Sequence, residues 1–169
     1  MLASGERTNP WMQECSNKII QDGEIISFDT DMVGPYGYCA DISRAFVVGN
    51  KFNEEQKKLY SMAVEQIDYN SRLIKDGLSF KEFTEKSWTL PEEYYPNRYS
   101  VMVHGIGLCD EWPAIRYPAD GGERSGTFQK NMTITVESYI GKVGGKEGVK
   151  LEQQYLIAEN GLELLSYHP

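Results

Sequence analysis

Six residues with metal-binding chemistry stand far apart in this 169-residue chain: Asp29, Asp31, Asp41, His104, Glu137 and Glu152. Asp29 and Asp31 close the apolar run Glu24-Ile25-Ile26-Ser27-Phe28-Asp29, which reads as a buried strand. Aspartate is a poor strand former. At i and i+2 the two carboxylates point to one face and repel unless a cation lies between them. His104 ends the run Tyr99-Ser100-Val101-Met102-Val103 just before Gly105-Ile106-Gly107, where a ligand can approach the backbone closely. Glu137 and Glu152 lie in two further apolar runs. Each residue also has an ordinary reading. The aspartates could mark a strand entering the polar turn Gly34-Pro35-Tyr36-Gly37, the histidine could be structural, and a glutamate could be solvated or paired with Lys150. Taken together, five carboxylates in one pocket would be untenable without cations, and two divalent ions nearly balance them. Oxygen-rich ligation with one imidazole suits manganese, iron, cobalt or zinc, and matches centres in which carboxylates bridge two ions. Spacing alone leaves both readings open.

The elements that must position these residues are legible in part. Strands are predicted at about 24–31 and 43–48, with a turn carrying Tyr36, Tyr38 and Asp41 between them. Residues 1–23 are polar, with short extended pieces at Trp11-Met12-Gln13 and Ile19-Ile20. Asn53 and Gln56 predict a capping box that opens a helix. Its apolar stripe is Leu59, Met62, Ala63, Ile67, Leu73 and Ile74, and Gly77 closes it. Ser79 and Glu82 predict a second box and a helix through Phe80, Phe83 and Trp88, stopped by Leu90-Pro91. Strands return at roughly 99–104, 132–140, 149–157 and 162–166. The glycine-rich stretch 141–148 reads as a hairpin connection between the second and third of these. Strands, two helices, then antiparallel strands predict an α+β fold.

Composition excludes some functions. A net charge of −8 disfavours nucleic acid and anionic membrane surfaces as partners. No stretch is long and apolar enough to span a bilayer, and no signal-peptide pattern opens the chain. Cys15, Cys39 and Cys109 are few, odd in number and without CxxC spacing, so neither a disulfide framework nor a cysteine zinc site is expected. A reducing, cytoplasmic setting fits.

Asp29-Thr30-Asp31, Gly37-Tyr38-Cys39-Ala40-Asp41-Ile42-Ser43-Arg44, His104-Gly105-Ile106-Gly107-Leu108, Thr135-Val136-Glu137 and Lys150-Leu151-Glu152 occur in the order of the metal-ligand motifs of the pita-bread metallopeptidase superfamily, which the chain resembles. That superfamily includes methionine aminopeptidase, proline-specific peptidases and creatinase. The resemblance runs from about residue 5 to the C-terminus. It implies a pita-bread fold, a curved antiparallel sheet with covering helices, and one partial metal-binding catalytic domain over residues 1–169. The family's opening helices and N-terminal domain would be missing, leaving part of the sheet uncovered. Two departures narrow the likeness. The peptidases usually carry one aspartate eleven residues before the second-segment aspartate; here Asp29 and Asp31 stand twelve and ten before Asp41. The peptidases also place a second histidine seven residues after the first, where this chain has Cys109-Asp110-Glu111-Trp112-Pro113.

Both departures are similar to the dimethylsulfoniopropionate lyases of this fold, as are Ser4-Gly5-Glu6-Arg7-Thr8-Asn9-Pro10-Trp11 and Gly107-Leu108-Cys109-Asp110-Glu111. This resemblance implies that Asp29, Asp31, Asp41, His104, Glu137 and Glu152 hold two divalent ions, iron first, with manganese, cobalt or zinc as alternatives. It places Asp110 at the catalytic aspartate and Tyr99 at an active-site tyrosine. The implied partners are a small zwitterionic substrate and, in the full-length protein, a second copy of the chain. The bland reading of Asp110 is a surface acid beside Glu111, and that of Tyr99 a core tyrosine. His168 is assigned no role. Two other readings stay open: a proline-directed metallohydrolase, and an inactive pita-bread module.

Overall fold

The computed structural model describes residues 1–11, 13–49, 51–121 and 125–167; Met12 and His168 therefore lie outside the described residues. The fold is α+β. Among the described residues, strands β1 (Leu2–Ser4), β2 (Ile25–Val33) and β3 (Cys39–Val47) form one antiparallel sheet in that order. Helices α1 (Glu54–Leu73) and α2 (Phe80–Lys86) follow. A second antiparallel sheet has the order β5-β4-β6-β7-β8, with β4 Val101–Gly105, β5 Ala114–Arg116, β6 Thr133–Ile140, β7 Val149–Ala158 and β8 Gly161–Leu164. β3 lies against β7, joining the two sheets.

Each strand of the second sheet alternates between two faces. Val103, Ile134, Val136, Ile140, Val149 and Ile157 face a core completed by Leu59, Ala63 and Ile67 of α1, by Phe80 and Phe83 of α2, and by Phe128. The residues between them, His104, Glu137 and Glu152, therefore fall on the opposite face. The capping box of α1 is formed: Gln56 N donates to Asn53 Oδ1, and Asn53 N to Gln56 Oε1, both at 2.9 Å. Gln66 is buried on the same helix, hydrogen-bonded to Tyr117 and Ser138 at 2.6 Å each.

Several boundaries differ from the sequence expectation. Asp41 is not in the turn; it lies inside β3, because the chain reverses earlier, within Gly34–Tyr38, where Tyr36 takes φ 63° and Gly34 N donates to Tyr38 O at 2.7 Å. Gly77 does not close α1. The helix ends at Leu73 and Ile74 turns extended to bury its side chain, while Gly77 donates to Phe128 O in the next turn. α2 stops at Lys86, before Trp88. Its N-terminal box is half made, since Ser79 Oγ accepts from Glu82 N but the Glu82 carboxylate pairs with Lys86 at 2.6 Å. Trp11 is buried without being in a strand, and Ile19 and Ile20 are exposed. The three-residue strands β1 and β5 are too short to leave a period in the sequence. All three cysteines are free.

An apolar groove lies between α1 and the strands β3 and β7. Phe46, Val47, Tyr60, Val64, Leu151 and Leu164 help line a groove of about 800 Å³. None of the six metal-type residues lines it. The site is built on the other side of the sheets.

Candidate metal centre

Two hairpins carry most of the site, and each sets like charges face to face. In the first, Asp31 pairs directly with Asp41, and Asp29 with Ser43. In the second, Glu137 pairs with Glu152. Like charges directly opposite in a ladder destabilise it unless something cationic lies between them. The register is fixed by the apolar residues between the acids, since a slip of one would turn every acid into the core.

His104, on β4 beside β6, is brought to the same point. Its Nε2 lies 3.2 Å from Glu152 Oε1, 3.4 Å from Glu137 Oε1 and 3.6 Å from Asp41 Oδ2. Its Nδ1 donates to the Gly105 carbonyl oxygen at 3.0 Å, which aims Nε2 at the acids. Asp29, Asp41, His104, Glu137 and Glu152 are all buried. Asp29 joins through Ser43, whose Oγ donates to Asp29 Oδ1 and lies 3.1 Å from Glu152 Oε2.

Asp31 stands apart from this buried group. It is exposed, and with Asp41 and Asp110 it forms a second group whose carboxylate oxygens lie within 4.8 Å of one another. Asp41 belongs to both groups, so the acids run as one chain from the buried end at Glu137 to the open end at Asp110. Tyr99 is half-buried, two residues before β4 begins, with its ring 5.1 Å from Lys150 Nζ.

The electrostatics are those of an anion-rich pocket. Burial raises Asp41 to about 7, with the Glu152 and Asp29 charges adding to it. Burial likewise pushes Glu137 up to about 8. Burial opposes the charge on His104, but hydrogen bonds to Asp41 and Glu152 and the charge of Glu137 more than offset it, giving about 11. Glu152 goes the other way, to about 2, because Lys150 and His104 outweigh its burial. A protonated His104 thus acts as the local cation. One Nε2 proton cannot satisfy three carboxylates, and Asp41 Oδ1, Glu137 Oε1 and Glu152 Oε1 are buried with no hydrogen-bond donor. Glu137 Oε1, Glu152 Oε1 and Asp41 Oδ2 gathered around one imidazole nitrogen, with too few protons to satisfy them, fit a divalent cation.

Sequence reasoning missed two contributors, Ser43 and Arg44, and offered a third, Lys150, only as the ordinary alternative to a metal role. Lys150 is buried between Glu137 and Glu152, so the bland pairing with a lysine and the convergence of the glutamates hold at once. Ser43 links three of the site's side chains. Arg44 donates to Glu152 O at 2.7 Å, Ser166 O at 2.8 Å and Gln153 Oε1 at 2.9 Å, stapling β3 to β7. For Lys150 and Ser43, a charged or hydroxyl residue two positions from a candidate ligand on the same strand was the available signal; Arg44 had none. No described helix is long and apolar enough to cross a membrane.

The architecture recurs in solved structures. The X-Pro aminopeptidase of Thermotoga maritima superposes with TM-score 0.80 at 28% identity, over all of this chain and 47% of the other. Prolidase from Pyrococcus furiosus gives 0.82 at 27%, over all of this chain and 49% of its own. The fold is the pita-bread fold of these enzymes. Among curated proteins, dimethylsulfoniopropionate lyase DddP of Roseovarius nubinhibens is 45% identical over 173 residues, and the Xaa-Pro dipeptidase of P. furiosus is 32% identical over 171. These alignments cover 100% and 98% of this chain but only 39% and 46% of the relatives. The profile of metallopeptidase family M24 matches residues 1–159, and the chain belongs to that family.

Proposed function

We propose that this chain is the metal-binding part of a catalytic domain that cleaves dimethylsulfoniopropionate to dimethyl sulfide and acrylate. The observation that carries the reading is Asp110. It stands at the open end of the acid chain, within reach of Asp31 and Asp41, on the loop where the peptidase pattern would have its second histidine. The 45% identity to a lyase of that name, against 32% to a dipeptidase, supports the same choice.

Asp29, Asp31, Asp41, His104, Glu137 and Glu152 would hold two divalent ions, iron being the first choice. Bound there, the ions supply positive charge that steadies the substrate carboxylate as negative charge grows on it. Asp110 takes the proton from the carbon next to that carboxylate. The electron pair forms the new carbon–carbon double bond, and the carbon–sulfur bond breaks. Dimethyl sulfide leaves as a neutral molecule, so no acid is needed to protonate it. The exposed rings of Trp112 and Tyr38 offer faces to the sulfonium cation, and both border a 390 Å³ cavity that includes the Gly105–Cys109 backbone. Tyr99, its ring 5.1 Å from Lys150 Nζ, is the second side chain assigned to the reaction. The reading carries a soluble, cytoplasmic enzyme and a homodimer in the full-length protein.

The 32% identity and the superposition on prolidase favour a second reading, a proline-directed metallohydrolase. A headspace assay for dimethyl sulfide on metal-loaded protein, beside an Xaa-Pro dipeptide control, separates the two. Metal-dependent release of dimethyl sulfide is the expected result. Dipeptide turnover without it would overturn the lyase reading.

A further inference from the structure

The loop after β4 separates two spaces of opposite character. Asp110 has a carboxylate oxygen within 4.8 Å of those of Asp31 and Asp41, on the acid side. Its loop neighbours Cys109 and Trp112 border the 390 Å³ cavity instead. Among the described residues, none that lines this cavity is charged. Tyr38, Leu108 and Trp112, all exposed, form its mouth, and Ile115, Phe80 and Phe128, all buried, form its floor. Phe80 and Phe128 meet edge to face with centroids 4.9 Å apart, so the floor is packed core and holds its shape. Thr133, one of the polar lining residues, donates its hydroxyl to the Ile106 carbonyl oxygen. Water finds few partners in such a space, whereas an apolar group gains by leaving solvent for it. Size points the same way. A water molecule takes about 30 Å³ of liquid. A methyl group is of similar size, so the cavity far exceeds what the two methyls of dimethylsulfoniopropionate need.

We propose that this cavity is a subsite for an alkyl group on sulfur, and that the substrate class extends to alkyl methyl sulfoniopropionates whose alkyl chain is longer than methyl. The proposal rests on the lyase reading above and deepens it. With the substrate carboxylate at the ions and the adjacent carbon at Asp110, the sulfonium comes to the rings of Trp112 and Tyr38, where the cavity opens. A chain on sulfur then has an uncharged, largely apolar space ahead of it. The step itself is unchanged. The proton goes to Asp110, its electron pair becomes the double bond of acrylate, and the carbon–sulfur pair stays on sulfur. The leaving group is a neutral alkyl methyl sulfide, which the uncharged lining accommodates and the acid side does not.

The test gives metal-loaded protein dimethylsulfoniopropionate and its S-butyl-S-methyl analogue, reads the released sulfides in the headspace, and runs an Xaa-Pro dipeptide beside them. Each buried methylene is worth roughly a factor of four, so the three added ones should raise kcat/KM by about tenfold or more. Met132 is half-buried and lines the cavity. Met132→Trp fills that space, and should remove the preference for the butyl compound while dimethyl sulfide release stays at the wild-type rate. A butyl compound cleaved no better than the dimethyl one by wild type, or a preference that survives Met132→Trp, overturns the inference and leaves the lyase reading standing. Dipeptide turnover with no sulfide from either compound overturns both. Binding of the neutral product to unaltered, metal-free protein guards against a misfolded variant. On adding butyl methyl sulfide to protein with ¹³C-methyl methionine, the Met132 resonance should shift saturably while that of exposed Met32, outside the cavity, stays in place. A Met132 resonance that does not move overturns the inference.

Discussion

Glu137 and Glu152 face each other across the β6–β7 ladder, and the inner oxygens of both lie within 3.4 Å of one imidazole nitrogen, His104 Nε2. The arrangement is unfavourable in isolation. It persists because a lysine occupies the outer side of the pair and a protonated histidine the inner side. The inner cation can be exchanged for a metal ion; the outer one is sealed among acceptors.

That exchange has a pH dependence with a definite sign. Glu137 rises from 4.5 to about 8 and Asp41 from 3.8 to about 7, so the metal-free fold binds more protons than the unfolded chain over that span. Its stability should fall as pH rises through those values. His104, raised from 6.5 to about 11, contributes stability that is complete below 6.5 and lost as pH climbs toward 11. Glu152, lowered from 4.5 to about 2, contributes the opposite, lost as pH falls through that interval. Thermal melts of metal-free protein should therefore drop between about pH 5 and 8. Metal ions need the deprotonated ligands, so the rise in Tm on adding manganese(II) should grow over the same window. A metal-induced shift that is flat or shrinks from pH 5 to 8 would contradict this assignment of protons.

Arg44 provides the second prediction. Its guanidinium reaches the Ser43, Glu152 and Ser166 carbonyls and the Gln153 side chain, so it fixes β3 against β7 just where ligands from both strands meet. Arg44→Ala should destabilise the protein by about 2 kcal/mol, the loss of hydrogen bonds to a charged group partly relieved by solvent. Arg44→Lys should recover little of it, because one ammonium cannot span the same acceptors. Urea titration measures the stability. Metal content should fall in both variants if the staple sets ligand spacing.

How much of this was legible in the sequence follows from which forces wrote it. The α1 capping box and the Leu59, Ala63 and Ile67 stripe are local, and both appear as expected. The end of α1 is not local: Ile74 leaves the helix to reach a core assembled from distant strands, which moved the boundary from Gly77 to Leu73. The six candidate ligands were visible as residue types out of place in apolar strands, and the structure gathers five of them in the buried end and Asp31 at the open end. Lys150 was misread as a choice between two meanings because a sequence cannot show that a lysine is enclosed. Ser43 and Arg44 act through hydrogen bonds across the sheet junction, which leave no periodic trace.

Gly105 supplies a third prediction, about the loop that carries Asp110. A Cβ added there would lie 2.1 Å from the Trp112 carbonyl oxygen and 2.8 Å from Pro113 Cδ. The neighbour is backbone and cannot swing aside. Gly105→Ala should cost about 1–3 kcal/mol as overpacking and push the loop outward. Because Gly105 N also donates to Pro113 O at 2.9 Å, the displacement should carry Asp110 away from Asp31 and Asp41. If the proposed lyase reading holds, dimethyl sulfide release should then fall further than metal content. Equal losses of both would mean that the substitution acts on His104 instead.

Asp31 and Asp110 give the sharpest separation of roles. Their carboxylates lie within 4.8 Å of each other and of Asp41, so geometry alone would allow either to hold metal or to move a proton. The proposed chemistry assigns them differently. Asp110→Asn removes the base, so dimethyl sulfide release should fall by roughly 10²–10⁴-fold while elemental analysis still finds the wild-type metal content. Asp31→Asn removes a ligand, and bound metal should fall with activity. The same variant relieves the Asp31–Asp41 repulsion across the ladder, so the metal-free protein should melt no lower than wild type, and by less than about 1 kcal/mol of difference given its exposure. An Asp110→Asn protein that loses metal in step with activity would move Asp110 into the ligand set and leave the reaction without its base.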